Sequence, residues 1–138
     1  RWMRADGRLF VHIFVHRLAA YPFDTEGQDN WMGRHFFTGG LMPAADTLLH
    51  LQRDLVLERR WLVDGTHYQQ TAEAWLANQD RHREALLPIL AQAYGGDAAA
   101  RLWFQRWRMF WMACAELFGY DHGREWMVAH YRFAKGVS

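Results

Sequence analysis

Apolar positions occupy both alternating faces of the stretch RLFVHIFV, the pattern of a strand, Arg8–Val15, covered on two sides as in a parallel sheet flanked by helices. Upstream, Trp2 and Met3 read as the end of a helix, and Asp6 with Gly7 as a tight turn. Downstream, the chain from His16 to Gly40 has no sustained period and carries Pro22, Gly27, Gly33, Gly39 and Gly40. It reads as a long aromatic loop with a turn of helix at most, and loops of that length in compact domains are commonly functional. Pro43, preset for a first helical turn, predicts a helix over 43–53 that presents Leu48, Leu49 and Leu51.

The period returns to two over Leu55–Val63, a second strand stopped by Asp64 and Gly65. Thr66 and Gln69 have capping-box spacing and predict a helix over 67–94, with a kink or break near Leu86 imposed by Pro88. Gly95 and Gly96 end it. Asp97 then reads as the N-cap of a helix over 97–118, on which Trp103, Trp107, Phe110, Trp111, Cys114, Leu117 and Phe118 form one stripe. Seven such side chains at about 2 kcal/mol each amount to about 14 kcal/mol gross, so the stripe is buried. Gly119 and a turn at Asp121–Gly123 lead into a last strand, 125–133.

Strand, loop, helix, strand, two long helices, strand is an α/β order with too few strands for a complete doubly wound sheet. Half a fold, a single segment spanning residues 1–138, is the simplest account, and Arg1 opening in the middle of structure points to a piece of something longer. Strands missing from that sheet would leave Arg8–Val15 with an unpaired edge and an uncovered face.

Composition narrows the function. With 51% apolar and 16% aromatic residues, eight tryptophans among them, the chain is built for large packed surfaces. A formal net charge of +1 without a basic run argues against a nucleic-acid partner. Cys114, the single cysteine, fits a reducing compartment, with the cytoplasm as default. No apolar run is long enough to cross a bilayer and no signal-peptide pattern opens the chain, so membrane contact is expected to be peripheral at most. His12 and His16 would stand about 13 Å apart in a strand rising about 3.3 Å per residue, and the other histidines lack ligand spacing, so no metal site is expected. His12 among apolar neighbours is most simply a satisfied core imidazole. His67 and Tyr68 stand where a strand hands over to a helix, a position suited equally to a cap or to a ligand group.

Taken together, FVHIF, FFTGGLMP, RRWLVDGTHYQQTAEAWLAN, RMFWMACAELFGY and EWMVAHYRFAK resemble the C-terminal half of the cyclopropane-fatty-acyl-phospholipid synthase superfamily of S-adenosylmethionine methyltransferases. The branch they look closest to is that of the coclaurine N-methyltransferases. The resemblance implies strands five (8–15), seven (125–133) and six (55–63) of a Rossmann-like class I sheet, the seventh antiparallel between the other two, with the helices roofing a substrate pocket. Phe36 and Phe37 would then be pocket wall, and Gly39 and Gly40 would let the backbone pass close to a ligand. His67, Tyr68, Trp107, Phe110 and Trp111 would complete the substrate side. His12 matches a histidine that helps hold a bicarbonate base in the cyclopropane synthases, and Phe14 takes the place of its backbone partner. The tyrosine that holds the same bicarbonate falls near Phe110, which has no hydroxyl, so the resemblance favours transfer to a small-molecule amine over cyclopropanation of an acyl lipid. Ala44 departs from the family's usual serine after Met-Pro. The resemblance further implies that the glutamate–histidine pair and the S-adenosylmethionine site lie upstream of Arg1, leaving no cofactor-binding residue here and these residues inactive alone. A non-enzymatic module for apolar ligands or lipid surfaces is the remaining alternative.

Overall fold

The computed structural model describes residues 3–27 and 29–136. Trp2 lies outside them, and Met3 sits in a bend before a turn closed by Gly7 N–H donating to the Arg4 carbonyl at 3.0 Å. Three strands form the main sheet: β1 (Arg8–His16), β4 (Leu55–Val63) and β5 (Trp126–Lys135). Their order is β1-β5-β4, and β5 is antiparallel to both neighbours. The last strand in the chain is therefore the central one, in the 5-7-6 arrangement expected.

Alternation along β5 sorts the side chains. Met127, Ala129, Tyr131 and Phe133 face one side with Val15, and Ala45, Leu48 and Leu49 cover them. Tyr131 is fully buried, and its hydroxyl donates to the Ala45 carbonyl at 2.8 Å. On the opposite face His12 is paired with His130 and Phe14 with Val128. That face is covered only toward the end of β1: Phe14 meets Phe37 edge-on, whereas Phe10 is 57% exposed. The two-sided burial expected of the whole strand is thus confined to its last residues. Its outer edge pairs, among the described residues, only through the bridge His16–Ala44.

The predicted helix over 43–53 does not form. The Pro43 carbonyl accepts from His16 N–H, and Ala45 N–H donates to the His16 carbonyl, both at 2.9 Å, so the segment runs beside β1. Backbone groups committed to a strand cannot close helical turns, and only Thr47–His50 coil, into one 3-10 turn. The predicted helix over 67–94 is two: α2 (Gly65–Arg81) and α3 (Arg83–Tyr94). The break falls at His82 (φ −103°, ψ 24°), four residues before Leu86, which leaves Pro88 inside α3. Pro88 lacks the N–H that would bond the carbonyl of Glu84, a group inside the first turn of α3, so the break at His82 lies upstream of the turn the proline disturbs. Asp64, not the Thr66–Gln69 pair, caps α2: its carboxylate accepts from Thr66 N–H at 2.8 Å and from the Thr66 hydroxyl at 2.6 Å, while Gln69 turns to Glu73. Helix α4 (Asp97–Gly119) is capped by Gly96 at φ 112°, with Asp97 already in its first turn. The long loop contains a ladder of β2 (Tyr21–Pro22) with β3 (Leu41–Met42) and a short helix, α1 (Trp31–His35).

Candidate functional site

A cavity of about 810 Å³ lies between the end of the sheet, the loop and the helices. Phe14 and Met42 contribute from the strands, and Tyr68, Ala72 and Trp75 from α2. Trp107, Phe110, Trp111 and Cys114 line it from α4, and Tyr21, Phe23, Trp31 and Phe37 from the loop. Tyr68, Ala72 and Trp75 stand at i, i+4 and i+7, so one face of α2 points inward.

Ring against ring holds the wall together. Phe36 stacks on Phe110 at 4.4 Å and Phe23 on Phe37 at 4.9 Å, while Trp111 meets Trp75 at 5.0 Å and Trp107 at 5.5 Å. Such contacts add about 0.5–1.5 kcal/mol each beyond the area they bury. Two glycines make the stacking feasible. A Cβ on Gly40 would sit 3.1 Å from the Phe23 ring, and one on Gly33 would sit 2.1 Å from the Asp24 carbonyl. Trp111 is aimed by Gln79, a buried side chain whose carbonyl accepts the indole N–H at 2.8 Å while its amide donates to the Phe104 carbonyl at 2.8 Å.

Polar groups are few. Asp24, Asp29 and Asn30 line the cavity from the loop, and Asp24 is partly committed to Glu26 N–H at 2.9 Å. Burial raises the Tyr68 hydroxyl above its ordinary pKa, and it pushes the Cys114 thiol up to about 11. Neither group is therefore ionised near neutrality, and the chamber favours an apolar body whose polar atom approaches the loop carboxylates.

Six of the residues singled out in the sequence come together here: Phe14, Phe37, Tyr68, Trp107, Phe110 and Trp111. Phe36 stands behind Phe110, and Gly39 (φ 74°) and Gly40 shape the loop without lining the cavity. His67 is exposed in the first turn of α2, away from the lining. His12 is exposed rather than a core imidazole; its Nδ1 lies 2.8 Å from Nε2 of His130, outside the cavity. The sequence did not single out Trp75 and Ala72, although their spacing from Tyr68 was a usable signal, nor the loop residues Tyr21, Phe23 and Trp31, for which an aperiodic loop offers none.

At the turn Asp64–Gly65, β4 hands over to α2. A Cβ on Gly65 would lie 2.2 Å from the Trp126 carbonyl and 2.4 Å from the Phe118 carbonyl, so the backbone of α2 starts in direct contact with β5 and the end of α4.

No protein-family model matches the chain. It is 34% identical over 136 residues to (S)-coclaurine N-methyltransferase of Papaver somniferum, covering 97% of this chain and 39% of that protein. The (S)-coclaurine N-methyltransferase of Thalictrum flavum subsp. glaucum is also 34% identical, over 97% of this chain and 38% of its own length. A solved coclaurine N-methyltransferase bound to N-methylheliamine and SAH superposes with a TM-score of 0.87 at 30% identity, over 97% of this chain and 40% of that one. The chain is thus similar, over nearly its whole length, to a part of these N-methyltransferases, and its fold is that of the C-terminal part of a class I methyltransferase. The same fold, at 18% identity and a TM-score of 0.67, recurs in the cyclopropane synthase MmaA2 from Mycobacterium tuberculosis, over 96% of this chain and 45% of that one. The chain thus spans about two fifths of the length of the curated methyltransferases it matches.

Proposed function

We propose that these residues form the acceptor side of an S-adenosylmethionine-dependent methyltransferase acting on a small-molecule amine, with the methyl donor gripped by polypeptide outside them. The donor supplies an electrophilic methyl group, and the aromatic lining of the cavity supports its use for the acceptor. The task left to this chain is to bind the acceptor, orient it and keep water away. Flat aromatic walls suit an apolar skeleton, and Asp24 and Asp29 suit its nitrogen. Phe14, Phe37, Tyr68, Trp107, Phe110 and Trp111 are the substrate contacts in this proposal. His12 belongs to it as a neighbour of Phe14 on the same strand face. The proton-accepting pair is placed outside the chain. A cytoplasmic setting rests on the unpaired, buried Cys114.

The observation that carries the choice of amine over acyl chain is Phe110. It is buried and stacked on Phe36, and by the resemblance it stands near the tyrosine whose hydroxyl helps hold bicarbonate in the cyclopropane synthases. The test is to incubate the full-length protein with methyl-labelled S-adenosylmethionine, a panel of primary, secondary and tertiary amines, and vesicles of unsaturated phospholipid. Mass spectrometry should find the label on amine nitrogen. Label recovered as a methylene bridge across an acyl double bond would overturn the proposal.

A further inference from the structure

One histidine outside the cavity is held at both ring nitrogens. His16 closes β1 with its side chain 12% exposed. Its Nδ1 faces two backbone donors, Leu18 N–H at 3.1 Å and Ala19 N–H at 2.8 Å. A nitrogen that receives two N–H groups carries no proton of its own, so the ring is the tautomer with hydrogen on Nε2. That hydrogen points at Oε1 of Glu125, 2.7 Å away. Glu125 is bound to the same turn a second time, through its carbonyl, which accepts from Arg17 N–H at 2.8 Å. The imidazole therefore bridges the first turn of the long loop to the residue that precedes β5.

Beyond that turn the loop becomes cavity wall. Tyr21 lies edge-on to His16 at 6.0 Å, and its hydroxyl accepts from Trp126 Nε1–H at 2.9 Å; Trp126 itself meets His16 edge-on at 5.3 Å. Tyr21 and Phe23 both line the cavity, and Phe23 carries the stack on Phe37. From strand end to pocket surface the path is continuous: His16, the Leu18 and Ala19 amides, Tyr21, Phe23.

From this geometry we infer that His16 is a positioning residue for the acceptor pocket, with Glu125 fixing its tautomer so that Nδ1 can set the turn that presents Tyr21 and Phe23. The inference rests on the acceptor-pocket proposal and adds to it a residue that touches no substrate. Because the loop contributes binding surface and no proton transfer, disturbing the anchor weakens acceptor binding more than turnover.

Two replacements separate the two ends of the imidazole. His16→Asn keeps an acceptor near Nδ1 and loses the reach to Glu125; His16→Gln keeps a donor near Nε2 and loses the acceptor for the amides. In the full-length protein, His16→Gln is expected to raise KM for the amine about tenfold, equivalent to about 1.4 kcal/mol, with kcat within about threefold, and His16→Asn to recover most of that loss. Hydrogen exchange at Leu18 and Ala19 should accelerate in His16→Gln and stay slow in His16→Asn. Long-range ¹H–¹⁵N spectra of the unsubstituted protein should show an unprotonated Nδ1 on His16, a readout that needs neither variant to fold nor any substrate. A proton on Nδ1, unchanged amide exchange in His16→Gln, or equal losses in kcat and KM would overturn the inference. If no amine is methylated at all, the acceptor-pocket proposal fails, while the tautomer and exchange measurements still decide the anchor.

Discussion

Replacing Gln79 by leucine isolates one buried hydrogen-bond bridge at nearly constant volume. Gln79 is 9% exposed and has two partners, the Phe104 carbonyl and the Trp111 indole N–H. The carbonyl loses little, because inside α4 it keeps its own i+4 amide. The indole N–H is left without its acceptor, at about 1–3 kcal/mol for a donor kept from water. Leucine returns part of that, since it is cheaper to bury than an amide. The expected net loss is about 1–2 kcal/mol. The decisive comparison is the same change in a Trp111→Phe background, where the orphaned donor no longer exists. Gln79→Leu should then cost close to nothing, a coupling of about 1–2 kcal/mol between the two sites. Equilibrium unfolding in urea followed by far-ultraviolet circular dichroism gives all four stabilities. Additivity within about 0.3–0.5 kcal/mol would refute the bridge as the means by which Trp111 is aimed.

Three further outcomes are expected. Gly65→Ala should destabilise severely or abolish folding, because its Cβ would stand 2.2 Å and 2.4 Å from two backbone carbonyls; a melting temperature within a few degrees of the parent protein would contradict that packing. Asp64 has its pKa held below 3.8, first by the Thr66 hydroxyl and next by the Thr66 amide, so its contribution is present above that pH and is lost as pH falls through the lowered value. Asp64→Ala should cost about 1 kcal/mol at pH 7, and the gap should narrow as the solution is acidified below pH 3.8; a gap that widens in acid would show the sign to be wrong. Cys114, buried and with a thiol pKa of about 11, should carry roughly one thiolate in a thousand at pH 8. Alkylation by iodoacetamide should be slow, faster in denaturant and slower still with an amine bound in the cavity; rapid labelling of the folded protein would place the thiol at the surface.

Much of the sheet was readable because alternation is a local signal. RLFVHIFV and LVLERRWLV declare themselves as strands whatever they pair with, and the stripe on α4 declares a buried helix face. The segment after Pro43 misled for the opposite reason. Its proline and leucines fit a helix start, yet the Pro43 carbonyl and the Ala45 amide are taken by His16, a partner the local pattern does not contain. Much the same holds at the N-terminus of α2, where Thr66 and Gln69 have the right spacing and Asp64, two residues before Thr66, takes the donor first. Six residues of the pocket, Phe14, Phe37, Tyr68, Trp107, Phe110 and Trp111, were legible as aromatic positions on predicted elements or in a glycine-flanked loop. Tyr21, Phe23 and Trp31 were not, because an aperiodic loop gives no rule for which ring turns inward; here that is decided by Gly33 and Gly40, whose missing side chains let the loop fold onto Asp24 and Phe23.

The central claim is that acceptor and donor occupy different polypeptide, and a crystal structure of the full-length protein with a methylated amine and S-adenosylhomocysteine tests it directly. The amine should lie in van der Waals contact with Phe37, Phe110 and Trp111, with every hydrogen bond to adenine and ribose made by residues outside 3–136. A nucleoside seated in the aromatic cavity, or an amine bound away from it, would contradict the account.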